Sequence, residues 1–312
     1  MLLGPPSYQQ AQLPWATTGP VAGNMVVTDP MRQHSTWPPQ PTIQQWTGLP
    51  LTYPAVCEFL GITTMDEADL YEIMEGRDKL PIRYRIRAEQ ITTSKQFRDW
   101  AVAPTSRELL VQGDGLDNQN TAMALSLLCA TITQALSKRP RYVALVYFCG
   151  LHTELDDEYA GGKALIRSLI TQLLRHHSFN ATFPHWEVNL ESVKFGDVGQ
   201  LCVLFGWLVR LLPHEATLVC VLDGIDHYDS DDFEEDMLNV LTQLLHLSRD
   251  DRISAAVKVL ATTTSATELA QKAFKDDDSC LLSMTELPWV NDQAGMPDFE
   301  DVSDGGNERE EN

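Results

Sequence analysis

Two acidic residues at the end of an apolar run are the first candidates for chemistry. Residues 218–222 are all apolar and lead directly to Asp223, and Asp226 follows three positions later. An acid at the end of a buried strand can hold Mg²⁺ through water, and a second acid nearby can polarise an attacking water. We therefore assign Asp223 as the metal residue and Asp226 as the catalytic residue. The alternative is that both acids only cap the loop and the helix after it.

A glycine-containing segment upstream has the layout of a phosphate-binding P-loop, with a strand, a loop and a helix start over residues 108–121. Such loops offer backbone N–H groups at a helix start, a lysine for the phosphates and a hydroxyl for Mg²⁺. Here Gln119 stands where the lysine belongs, and Thr121 lies one position late for the hydroxyl. The candidate cofactors are ATP or ADP with Mg²⁺, none of them certain, and the predicted binding residues are Gly113, Gly115, Asn118, Gln119, Asn120, Thr121 and Asp223.

The charge around this loop opposes a triphosphate. Residues 109–137 contain no lysine or arginine, and the loop itself carries Asp114 and Asp117. Carboxylates near a phosphate repel it unless Mg²⁺ or a distant cation offsets them. Residues 161–163 (Gly-Gly-Lys) do not supply the missing lysine, because the loop before them is too long for a phosphate cradle. We interpret the two glycines as the start of a helix and Lys163 as a surface charge.

The elements that must position these residues follow from hydrophobic patterns. Short apolar runs predict strands buried on both faces, as in a parallel sheet, and amphipathic helical patterns separate them. We predict an α/β fold: a three-layer P-loop NTPase-like domain with a mainly parallel sheet, whose ligands bind at the carboxyl ends of the strands. The strands are predicted at residues 109–111, 142–149, 217–222 and 257–261, and the helices around residues 165–174, 201–211 and 237–245.

Composition divides the chain into four parts. Clustered Pro and Gln predict a disordered leader over residues 1–50, and acidic residues predict a disordered tail over residues 291–312. Residues 51–104 read as a short helical lead-in, with the best helix at residues 66–75. The degenerate P-loop domain is predicted over residues 105–290.

Net charge limits the kinds of partner that the protein can bind, and the cysteines indicate its cellular compartment. The chain has 312 residues and a formal net charge of -21, which argues against binding nucleic acid or an anionic membrane. Six scattered cysteines without metal-ligand spacing indicate reduced core thiols, and we expect a cytoplasmic protein. No signal peptide or membrane-spanning run is evident. We expect protein partners, which the sequence does not identify.

One further pair of residues has the types of a nucleophile and a base. Cys149 and His152 follow the second predicted strand. Both follow an apolar run that reads as a buried strand, so we interpret them as structural.

The order of these motifs resembles that of the NACHT-type STAND NTPases of filamentous fungi, most closely their nephrocystin-like N-terminal NTPase domains. The resemblance rests on residues 97–100, 109–113, 148–153 and 222–226 and implies nucleotide binding and hydrolysis. In that family a glutamate usually follows the second acid, whereas this chain has His227; the sensor strand usually ends in Thr-Ser-Arg, whereas this chain has three threonines at 262–264. The winged helix and repeats that usually follow do not fit after residue 261, so we expect no complete nucleotide-driven assembly switch.

Three hypotheses of function follow. The first is a pseudo-NTPase, a binding or scaffolding module that is not expected to be an enzyme. The second is a regulator that holds ATP or ADP without efficient hydrolysis. The third is an active NTPase that takes a lysine or arginine from elsewhere.

Overall fold

The fold is an α/β arrangement of ten α-helices and five strands within the residues that the computed structural model describes, 52–61, 64–274 and 280–288. The predicted leader and tail lie outside these residues. The helices are α1 (Tyr53–Leu60), α2 (Met65–Glu75), α3 (Ile82–Thr93), α4 (Lys95–Val102), α5 (Asn118–Ser137), α6 (Gly161–His176), α7 (Leu190–Phe195), α8 (Val198–Arg210), α9 (Glu234–Arg249) and α10 (Glu268–Phe274). The strands are β1 (Arg107–Gln112), β2 (Tyr142–Phe148), β3 (Thr217–Asp223), β4 (Ala256–Thr263) and β5 (Leu281–Ser283).

The five strands form one parallel sheet in the order β2-β3-β4-β1-β5. From β1 the chain therefore crosses to the edge strand β2. It then returns strand by strand through β3 to β4, which lies beside β1. In this register Phe148 lies opposite Asp223, and Gln112 lies opposite Thr263, so all four carboxyl ends meet at one edge. The four predicted strands are confirmed. The short β5 was not predicted, because three residues carry no readable alternation.

Helices cover both faces of the sheet, which confirms the three layers. One hydrophobic core joins alternate strand residues to α1, α6, α7, α8, α9 and α10. The other joins the opposite strand faces to α3, α4 and α5, with α2 packed at its side. Leu109 and Val111 face the second core and Leu110 faces the first, as the two-residue period of a strand requires. The predicted helices at 66–75, 165–174, 201–211 and 237–245 are confirmed by α2, α6, α8 and α9.

A buried lysine joins α4 to the amino-terminal half of β4. Lys258 donates hydrogen bonds from Nζ to the carbonyl oxygens of Trp100 and Ala101 near the end of α4, the second at 3.0 Å. Burial lowers the pKa of Lys258 to about 8, since desolvation disfavours the ammonium. This cation lies opposite Arg107, at the end of the sheet away from the candidate site.

The burial of the cysteines and the character of the helices match what the sequence predicted. The thiols of Cys129, Cys149, Cys202, Cys220 and Cys280 are buried and outside any disulfide, as predicted, while the side chain of Cys57 lies outside the described residues. None of the helices in the described part of the chain has the length and apolar character needed to cross a membrane.

Candidate functional site

A cavity of about 510 Å³ opens at the carboxyl edge of the sheet, between the ends of β2, β3 and β4 and the first turns of α5. Asp223 and Asp226 line it, as do Asn118 and Gln119 from the start of α5. Its apolar wall is formed by Ile73, Ala122, Met123, Leu125, Phe148 and Leu151. Four of the predicted site residues thus lie around one cavity.

Asp223, the last residue of β3, is 3% exposed and has both carboxylate oxygens engaged. Oδ1 accepts a hydrogen bond from Thr262 Oγ1 at 2.7 Å, and Oδ2 accepts one from Ser126 Oγ. Burial raises the pKa of Asp223 to about 6, and the two hydroxyls offset only part of that effect. The carboxylate is therefore held by neutral donors.

The turn after β3 directs Asp226 toward the end of β4. Gly224 has φ +67, where a Cβ would also lie 2.9 Å from the ring of His227, so glycine is required there. Asp226 Oδ2 accepts hydrogen bonds from the backbone N–H of Thr264 at 3.1 Å and from its hydroxyl. The other oxygen, Oδ1, is buried and has no hydrogen-bond partner among the described residues. Asp226 is thus half satisfied.

The loop between β1 and α5 lies against β4. The backbone N–H of Gly113 donates to the Thr263 carbonyl at 2.7 Å, and that of Gly115 donates to the Thr264 carbonyl at 3.2 Å. A Cβ on Gly113 would lie 2.4 Å from the Thr264 oxygen, so the close approach depends on glycine. These two N–H groups are used within the protein and are not directed at a phosphate.

Both acids of this loop contact α3. Arg87, 2% exposed, donates from Nη2 to Asp114 Oδ2 at 3.2 Å and to the Met284 carbonyl at 2.7 Å. Asp117 accepts hydrogen bonds from Tyr84 Oη at 2.6 Å and from the Asn120 backbone N–H at 3.1 Å, which caps α5. The Tyr84 hydroxyl and then Asn120 hold the pKa of Asp117 below its ordinary value. Neither acid lines the cavity.

The remaining predicted binding residues support the loop. Asn120 donates from Nδ2 to Asp117 Oδ2 at 2.8 Å. Thr121 is 1% exposed, and its methyl group packs against Gly113. Gly113, Gly115, Asn120 and Thr121 therefore build the loop, whereas Asn118 and Gln119 face the cavity.

The family of the chain follows from a sequence comparison. The family model described as Nephrocystin 3, N-terminal matches residues 87–263. The chain belongs to the nephrocystin-3 N-terminal family. No curated protein matches the chain.

The nephrocystin-3 N-terminal match contains every predicted site residue. It begins at Arg87, which contacts Asp114, and ends at Thr263, the last residue of β4. Helix α2, which contributes Ile73 to the cavity wall, lies before it. The nephrocystin-like resemblance is confirmed at the level of the family.

The residues around the cavity do not fit a magnesium nucleotide. Among the residues that line it, the ionisable ones are Asp223, Asp226 and His227, and no lysine or arginine is present. A triphosphate there would find no lysine or arginine side chain in the described lining, and the two acids would repel the charge that Mg²⁺ leaves uncompensated. Lys163, at the start of α6, is exposed as predicted, and Arg87 is bound to Asp114.

A second polar cluster lies beside the cavity. His152 is buried; its Nδ1 lies 2.8 Å from Asp157 and its Nε2 lies 3.1 Å from Asp69 of α2. Burial lowers its pKa, but the two carboxylates raise it by more, so the net pKa of His152 is above its ordinary value. Burial also raises the pKa of the Cys149 thiol well above its ordinary value, which does not favour a nucleophile. Both side chains are buried just after β2.

Sequence reasoning missed three contacts that shape the site. Ser126 interrupts an apolar stretch of α5, which is a readable signal of a polar contact within the core. Arg87 and Ile73 carry no such signal, since helices α2 and α3 show many exposed polar residues around them.

Proposed function

We propose that this nephrocystin-3 N-terminal domain is a pseudo-NTPase that acts as a binding or scaffolding module. A NACHT or STAND ancestry and a cytoplasmic location belong to the same proposal, as does the domain boundary near residue 105. Protein partners are expected, and their identity is open.

The main support is that the phosphate-loop groups are occupied by contacts within the chain. Gly113 and Gly115 donate to carbonyls of β4, and Asp114 and Asp117 contact α3. A nucleotide would have to replace these contacts, and Gln119 offers no charge in return. Loss of the lysine together with occupation of the loop favours a module without hydrolysis.

The test is a calorimetric titration of the full chain with Mg·ATP and Mg·ADP, together with thermal denaturation at the same concentrations. We expect no binding heat at millimolar nucleotide and no shift in melting temperature. A ligand present at a hundred times its Kd would add about 2.7 kcal/mol to stability. Binding that Asp223→Ala abolishes would instead support the regulator, and steady-state hydrolysis would support the active enzyme.

A gain-of-function variant provides a second test of the proposal. The triple substitution Asn118→Gly, Gln119→Lys, Asn120→Thr restores the phosphate-binding triplet, and we expect it to bind Mg·ATP more tightly than the wild type. The same triplet with Asp223→Ala is the control, since it keeps the lysine and removes the Mg²⁺ ligand. Equal nucleotide binding by the wild type and the triplet variant would contradict the proposal.

A further inference from the structure

The cavity has the size and wall of a small-molecule site. Its volume of about 510 Å³ falls within the roughly 300–1,000 Å³ of ligand pockets, which are mostly apolar with a few placed polar groups. Met123, Phe148 and Leu151 supply apolar wall, and Ile73 of α2 adds to it from outside the family match. The wall suits the apolar body of a ligand.

The polar groups of the cavity set the charge of the ligand. Asp223 and Asp226 both line it, and their described partners are hydroxyls and backbone N–H groups. No lysine or arginine is among the described residues that line the cavity, so no ammonium or guanidinium group in its lining offsets the charge of the two carboxylates. Charged donors form stronger hydrogen bonds to carboxylates than neutral ones do. A positively charged donor is therefore the ligand group that this lining favours.

We propose that the cavity binds a small organic cation with an apolar body, such as a ring that carries an amidinium or a protonated amine. The cation contacts the carboxylates of Asp223 and Asp226, and the ring lies against Phe148 and Met123. This inference rests on the proposed function, because a site for a magnesium nucleotide would use the same acids for Mg²⁺.

Three probes of one shape and different charge test the ligand class. Benzamidine is a cation, benzamide is neutral and benzoate is an anion, and each is titrated calorimetrically into the full chain at pH 7.5. We expect benzamidine to bind at least about tenfold more tightly than benzamide, and benzoate to give no heat. Absence of benzamidine binding at millimolar concentration, or benzoate binding as tight, overturns the inference.

Three variants test whether benzamidine binds in this cavity. Asp226→Asn removes one charge at the cavity and weakens benzamidine binding at least about tenfold. Asp231→Asn removes the same charge from an exposed residue of the same segment that does not line the cavity, and leaves affinity unchanged within about twofold. Ala122→Phe fills the cavity from α5 and abolishes binding, so the test does not depend on Asp226→Asn alone. Circular dichroism and melting temperature confirm that each variant is folded, and an equal loss in all three variants contradicts the assignment.

A competition arm separates this inference from the pseudo-NTPase proposal. Mg·ATP that binds and displaces benzamidine overturns the proposed function, while the cation site stands on its own titrations. Failure of both ligands to bind overturns the cation site and leaves the pseudo-NTPase in place.

Discussion

Two regions of the molecule neutralise acids of low solvent exposure differently. Around α2, α3 and the loop after β2, three acids have a basic partner: Asp66 contacts Arg175, Asp69 contacts His152, and Asp114 contacts Arg87. In the cavity, the described contacts of Asp223 and Asp226 are with neutral donors. Both regions belong to the same compact unit of the chain.

The difference separates structural acids from candidate ligand-binding acids. A buried carboxylate is costly unless it is paired, so a fold retains it most readily beside a cation. The acids near α2 and α3 attach these helices to the sheet. The cavity acids contact neutral donors of α5 and of the end of β4, and they lie where parallel sheets bind ligands. Their lack of a described basic partner is therefore informative.

The largest effect is expected where a structural pair is broken. Arg87→Met leaves Asp114 buried beside the loop with no basic partner and removes a donor to Met284, and we expect a loss of about 3 kcal/mol in the free energy of unfolding. Urea denaturation measures it. Arg83→Met, an exposed arginine one turn earlier on α3, is the control and changes stability little. Adding Asp114→Asn to Arg87→Met recovers part of the loss; no recovery would break the comparison.

The opposite sign is expected in the cavity. In the folded state the pKa of Asp223 is about 6, whereas the unfolded value is about 3.9, so the folded protein holds the proton to higher pH. The cost of ionising Asp223 is therefore absent at low pH and grows as pH rises from about 4 to about 6. We expect Asp223→Asn to stabilise the protein by roughly 2 kcal/mol at pH 7 and by almost nothing at pH 4.

Urea denaturation at both pH values checks this prediction, with Asp231→Asn as the exposed control. A large loss of stability at pH 7 would mean that Asp223 is a structural acid like Asp114. A stabilisation of equal size at pH 4 and pH 7 would mean that it does not come from the cost of ionising Asp223.

The smallest effect concerns His152 between two carboxylates. Its folded pKa is raised, so its contribution to stability is complete below the unfolded pKa near 6.5 and is lost as pH rises through the folded value. We expect the destabilisation caused by His152→Gln to shrink by about 1 kcal/mol between pH 6 and pH 8.5. Hydrogen exchange of α2 amides gives a local measure, and the exposed His214→Gln is the control. A destabilisation independent of pH would argue that His152 acts through packing alone.

The prediction of the fold from sequence succeeded for long elements and failed for short ones. The strand ending at Asp223 is a seven-residue run buried throughout, and its apolar residues are readable in one window. Strand β5 has three residues and is added at the edge beside β1, so its place depends on a neighbour distant in sequence. The sequence did not distinguish the predicted site residues that face the cavity from those that support the loop. That distinction required the backbone conformation.

The sequence alone determined three features: the alternation of strands and helices, the placement of Asp223 and Asp226 at the end of one strand, and the absence of a lysine at position 119. Each of these depends only on residues that are neighbours in the chain. The contacts of the acidic side chains were decided only by the tertiary structure. Asp114 faces Arg87 across 27 residues of sequence, and Asp223 meets Ser126 across 97, so no local pattern contains either contact. Charge compensation is a property of three-dimensional proximity, and it separated the supporting acids from those that line the cavity.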